Sequence, residues 1–68
     1  MKKSWKDLEE ARTKLRGLSR AELARRAGIS ESAFTKGLAG DRYPQKETRQ
    51  KVELVLEAQQ RMQEAGLV

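Results

Sequence analysis

The sequence predicts a compact all-α domain of four helices, with two short helices joined by a tight turn at its centre and an extended helix at its C-terminal end. Three observations carry this prediction. Ser4, Ser19 and Ser30 each stand as an N-cap before a helical run. Gly17, Gly28 and Gly40 stand where those runs must stop. Apolar residues recur at three- and four-residue spacing between these signals.

The first helix is predicted over about residues 4–16. Ser4 caps it, Asp7 supplies an acidic partner in the first turn, and Trp5, Leu8, Ala11 or Arg12, and Leu15 share one face before Gly17 ends it. Among such partners Trp5 reads as a core anchor rather than a stacking platform. The second helix, over 20–27, opens at Ser19. The Ser19 hydroxyl can accept from the Glu22 amide while the Glu22 carboxylate reaches back, a capping box flanked by Leu18 and Leu23 as a hydrophobic staple. Leu23, Ala24 and Ala27 line its inner side, and Gly28 tolerates the left-handed conformation at its end. The third helix, over 31–39, repeats the device with Ser30 as cap and Ile29 with Phe34 as staple.

Gly40 to Gln45 reads as a loop, because Gly-Asp-Arg-Tyr-Pro offers turn residues and no helical period. The fourth helix, over 46–64, puts Val52, Val55, Leu56, Gln59 and Met62 on one stripe. It is longer than the other three need for cover. A second, weaker stripe of Leu54, Ala58, Arg61 and Ala65 lies opposite. Leu54, Ala58, Met62, Ala65 and Leu67 are therefore candidates for a two-fold homodimer contact, the alternative being a frayed, solvated tail.

Composition narrows the function classes. A chain of 68 residues forms one domain and buries only roughly 60% of the surface its unfolded form exposes. With no cysteine and no histidine it has no disulfide framework and no expected metal site or cofactor, so helix packing must supply the fold. Lacking also a convincing pair of buried carboxylates, and too small for a deep pocket, it is not expected to be an enzyme. No apolar run approaches a membrane span, and the basic start Met1-Lys2-Lys3 leads into Ser4-Trp5-Lys6-Asp7 rather than a signal core, so no membrane association and a cytoplasmic location are expected. The net charge is +5, but residues 1–51 hold 14 Lys and Arg against 7 Asp and Glu, whereas residues 52–68 hold 1 against 3. An uneven positive field favours a polyanion, with nucleic acid the commonest; the plainer alternative is charge kept for solubility.

The two central helices make the sharper case. Joined by Gly28-Ile29-Ser30, and with small Ala24 and Ala27 between them, they form a helix-turn-helix whose second member keeps Glu31, Ser32, Thr35 and Lys36 on its solvent side, free to enter a major groove. The segment SRAELARRAGISESAFTKGLAG resembles the helix-turn-helix of the lambda-repressor-like superfamily, with Ala24, Gly28, Ile29 and Phe34 at its small, turn, apolar and buried positions. The following DRYPQKETRQKVELVLEA is similar to the same region of LacI-type repressors, and the Ser4 to Leu15 helix is similar to phage-repressor and Xre-type domains. The resemblance spans about residues 5–58.

That resemblance implies a small transcriptional regulator, a repressor by analogy and of phage or mobile-element type, that binds double-stranded DNA on the bacterial nucleoid. It implies that Glu31, Ser32 and Lys36 read bases, with cytosine N4 the partner for Glu31 and guanine O6/N7 or a phosphate for Lys36. It implies phosphate contacts from Arg20 and Ser30 at helix N-termini, from Thr35 on the third helix, and from Tyr43, Lys46, Thr48 and Arg49 around the loop and the start of the fourth helix. Tyr43 has a second reading as a packing lid, and Glu31 one as a first-turn acid facing the helix dipole. Gly37 departs from the family, where a larger apolar residue is usual; it leaves room for Trp5 or Tyr43 to approach. The hinge and sugar-binding domain of LacI-type regulators do not follow, so no small-molecule ligand is expected. A protein-interaction adaptor or antitoxin-like subunit, using the same helices, is the alternative from another class, and a non-specific nucleoid protein is a third.

Overall fold

A computed structural model of the chain describes residues 3–40 and 42–68, which form four helices and, among the described residues, no strand. They are α1 (Trp5–Thr13), α2 (Arg20–Ala27), α3 (Glu31–Ala39) and α4 (Lys46–Glu64). Met1, Lys2 and Asp41 lie outside the described residues, and with them the basic start and one residue of the predicted 40–45 loop.

The bounds of α2 and α3 are those the caps predict, and α4 spans the predicted 46–64. The Ser19 and Ser30 hydroxyls accept from the Glu22 and Ala33 amides, each at 3.1 Å. Such a cap stabilises a helix by about 1 kcal/mol. The full reciprocal box forms at Ser4 instead of Ser19: the Asp7 amide donates to the Ser4 hydroxyl at 3.2 Å, and the Ser4 amide donates to the Asp7 carboxylate at 3.0 Å. The predicted return bond from Glu22 is absent, because its carboxylate receives Arg25 Nε and Nη2 at 2.7 and 2.8 Å. A guanidinium offers two charge-assisted bonds where the backbone offers one neutral donor.

Helix α1 stops at Thr13, three residues before the predicted end. The Leu15 amide donates to the Arg12 carbonyl at 3.0 Å, which tightens the chain into a turn of three residues, and Gly17 at φ 70° then redirects it toward α2. Leu15 keeps its apolar role from this turn, half-buried against the core.

The core gathers Trp5 and Leu8 from α1, Leu18 from the connection, Leu23 and Ala27 from α2, Phe34 from α3, and Val52, Val55 and Leu56 from α4. Leu8, Leu23, Phe34 and Val52 are almost wholly buried, each contributing about 1.5–3 kcal/mol relative to exposure. Helix α4 lays Val52, Val55, Leu56 and Gln59 inward as its stripe predicts, while Met62 sits at the edge with 36% of its surface exposed. The buried Gln59 is a polar hub: its Nε2 donates to the Arg16 carbonyl at 2.6 Å and its Oε1 accepts from Arg26 Nη1 at 2.9 Å. One turn on, Gln63 Oε1 accepts from the Arg16 amide at 2.8 Å, so α4 holds the α1–α2 connection by both of the Arg16 backbone groups.

Helix α3 is tied down by backbone as well as side chains. The Arg42 amide donates to the Gly37 carbonyl at 3.1 Å, and the Trp5 amide donates to the Arg42 carbonyl at 3.1 Å. One residue after α3 thus satisfies a terminal carbonyl of that helix and a first-turn amide of α1.

Candidate nucleic-acid interface

The orientation of α3 follows from what it buries. Phe34 and Gly37 face inward and Leu38 is half-buried; the Phe34 ring stands 5.1 Å from the Trp5 ring at 58°. The indole of Trp5 lies directly on Gly37, so close that no Cβ would fit between them. Of the two residues the sequence offered for that space, Trp5 occupies it. Tyr43 is not a lid: it is 62% exposed, because the place over α3 is already filled.

With that side turned in, Glu31, Ser32, Thr35 and Lys36 are all exposed, and their spacing puts them on one face of α3. Three base-reading candidates, Glu31, Ser32 and Lys36, therefore share a single polar surface. The Ser30 hydroxyl oxygen is engaged as the α3 cap while its O–H remains a donor. Thr35 spends its hydroxyl proton on the Glu31 carbonyl at 3.1 Å, which leaves it a weaker phosphate candidate than its position suggests.

Past α3, Arg42, Tyr43 and Lys46 are exposed as well. Thr48 and Arg49 are half-buried in the first turn of α4, where Arg49 Nε stands 3.6 Å from Glu53. Whereas serine caps the other three helices, Gln45 makes no side-chain cap bond at the start of α4, and among the described residues the amides of its first turn have no side-chain acceptor. Arg42 was not among the sequence candidates. Loop residues have no period, and its place depends on backbone bonds to the end of α3 and to the sequence-distant start of α1.

Arg20, at the start of α2, is held within the molecule. Its guanidinium pairs with Glu9 of α1 at 2.6 Å, and Arg12 pairs with the same carboxylate at 2.6 Å. Neither Glu9 nor its sharing between two arginines was visible in the sequence, where Glu9 and Arg20 lie eleven residues apart. The hydrogen bond from Arg12 holds the Glu9 carboxyl below its ordinary range; burial opposes this, and Arg20 adds to it. A carboxylate whose folded pKa is depressed stabilises the fold above the unfolded pKa, and that stabilisation is lost as pH falls through the folded value. Between about pH 5 and pH 3 the wild type should therefore lose more stability than Glu9→Gln, read from urea midpoints. Parallel declines would show that Glu9 is not paired in solution.

The negative charge gathers elsewhere. A groove of about 450 Å³ between α1 and α4 has Ala11, Leu15 and Leu56 among its lining and acids at Asp7, Glu10, Glu53, Glu57 and Glu64, with Lys3 and Lys14 beside them. On the outer side of α4, Leu54 is 65% exposed and Ala58 half-buried. Ala65 and Leu67, two of the five dimer candidates, lie beyond the end of the helix rather than on it. Gly66 at φ 76° turns the chain there, and the Leu67 amide closes that turn on the Met62 carbonyl at 2.8 Å. Among the described residues no group of three His, Cys, Asp or Glu could hold a metal, and no helix is long and apolar enough to cross a membrane.

No family model, curated protein or solved structure matches the chain.

Proposed function

We propose that this chain is a sequence-specific double-stranded DNA-binding regulator of the lambda-repressor-like type, acting as a repressor on the bacterial nucleoid with α3 in the major groove. The observation that carries this reading is the division of α3. Phe34 and Gly37 are buried and Leu38 half-buried on its inward side, leaving Glu31, Ser32, Thr35 and Lys36 exposed together, and the exposed Arg42, Tyr43 and Lys46 follow in the chain. Polar side chains on one face of a rigidly seated helix suit base edges, and flanking cations suit phosphates. In this reading Glu31, Ser32 and Lys36 meet bases, while Ser30, Tyr43, Lys46, Thr48 and Arg49 hold the backbone on either side. A homodimer through the outer stripe of α4, around Leu54, Ala58 and Met62, would present two such helices to a palindromic site.

The test is selection from a randomised duplex library at two salt concentrations, with wild type, Lys36→Ala and Lys46→Ala. Wild type should enrich a short motif, and an inverted repeat would report the two-fold pairing. Lys36→Ala should relax preference at one position at a cost of about 1–3 kcal/mol there, whereas Lys46→Ala should weaken all sequences alike and flatten the salt dependence. Motif-free binding that vanishes at moderate salt would remove the specific reading. The exposed apolar side of α4 favours one second reading, a protein-interaction adaptor, which would be indifferent to both substitutions.

A further inference from the structure

Two arginines of different helices converge on one carboxylate. Glu9 Oε1 accepts from Arg12 Nε at 2.6 Å, and Oε2 accepts from Arg12 Nη2 at 3.1 Å and from Arg20 Nε at 2.6 Å, with Arg20 Nη2 also 2.6 Å away. The remaining Arg12 nitrogen, Nη1, donates to the Leu18 carbonyl at 2.8 Å. Arg12 is consumed. Its side chain is 18% exposed and that of Glu9 15%, whereas that of Arg20 is 43% exposed. Arg20 turns Nε and Nη2 to Glu9 and leaves Nη1 without a partner among the described residues.

We propose that Glu9 is a positioning residue that fixes the Arg20 guanidinium at the start of α2, so that its Nη1 group can take an oxygen of a DNA phosphate; this rests on the duplex-binding reading above. An unrestrained arginine loses its rotamer freedom when it meets a phosphate, and here that ordering is completed in the free protein. The α2 amides and the helix dipole favour the same anion. An acid near a phosphate also repels it. Two guanidiniums outnumber the Glu9 charge, however, and leave the triad with a net charge of +1 centred on its most exposed member, so positioning outweighs repulsion.

Glutamine at position 9 offers one carbonyl oxygen in place of two carboxylate oxygens. Arg12, more buried and anchored also to Leu18, retains that oxygen, and Arg20 is released. Affinity should be measured for wild type, Glu9→Gln, Arg20→Ala and the double variant, on the enriched duplex and on random duplex. Glu9→Gln should weaken both about 3- to 10-fold with base preference unchanged, and should cost nothing further in the Arg20→Ala background. Binding by Glu9→Gln as tight as wild type, or an equal loss in both backgrounds, overturns the proposal. Arg20→Lys leaves the Glu9–Arg12 pair in place and is the second variant should Glu9→Gln unfold. Lysine cannot be held by a two-point grip, so affinity should fall several-fold, and wild-type affinity for Arg20→Lys overturns the proposal as well. Failure of the wild type to bind any duplex overturns the DNA-binding reading, whereas wild-type binding that ignores Glu9 overturns the positioning role alone.

Discussion

Alanine at position 37 will destabilise this protein by about 2 kcal/mol or more, although alanine is the better helix former. In a neutral setting Gly→Ala within a helix gains about 1 kcal/mol. Here the added Cβ would fall under 3.0 Å from Cδ1, Nε1 and Cγ of Trp5. A flexible side chain could move aside, but an indole cannot bend. Trp5 is only 6% exposed and is stacked at a tilt on Phe34, so retreat would move a second ring that is wholly buried. Overpacking of this kind costs about 1–3 kcal/mol, and the lost ring contact adds to it. Trp5 is the sole tryptophan, so its fluorescence reports the site directly in a denaturant titration. The double variant Trp5→Leu/Gly37→Ala should lose less than the sum of its singles, since leucine can yield to the new methyl. A Gly37→Ala midpoint equal to wild type or higher would show that the ring does not rest on α3.

Leucine at position 59 should cost about 1–3 kcal/mol, a large part of the stability expected of so small a chain. Leucine matches glutamine closely in volume and would suit an apolar site. Gln59, however, is 2% exposed and occupied at both ends, by the Arg16 carbonyl and the Arg26 guanidinium. The substitution would leave the part-buried Arg16 carbonyl facing an apolar side chain, while the exposed Arg26 guanidinium would lose its anchor on α4 and turn to solvent. Besides a lower denaturation midpoint, hydrogen exchange at the α1–α2 connection should accelerate, because Gln63 alone would then hold Arg16. Unchanged stability in Gln59→Leu would mean that solvent reaches these groups freely.

What the sequence made legible was local. Helices α2 and α3 were readable to the residue because Ser19, Gly28 and Ser30 act on backbone groups within three or four positions of themselves. Helix α1 ends before the apolar period does, because the period records which residues are buried, and Leu15 is half-buried from a turn. The Glu22 return bond failed for a related reason, since the spacing to Ser19 was right but the pattern does not weigh Arg25 as a competitor. At the candidate site, the outward face of α3 follows from helical period alone. The anomaly at Gly37 could be seen, but not which ring filled it, because positions 5 and 37 meet only in the folded chain. Glu9, Arg12 and Arg20 illustrate the same limit. Each reads singly as an ordinary charged helix residue, and only the folded chain brings the three together.

The double use of Arg42 has a bearing on how such a protein can change over generations. The bonds that join the end of α3 to the start of α1 run through its amide and its carbonyl, groups that every amino acid except proline supplies in full. The architecture therefore asks almost nothing of the side chain at this position. Selection is left at liberty to alter residue 42, just past α3, while the frame that seats that helix is inherited unchanged.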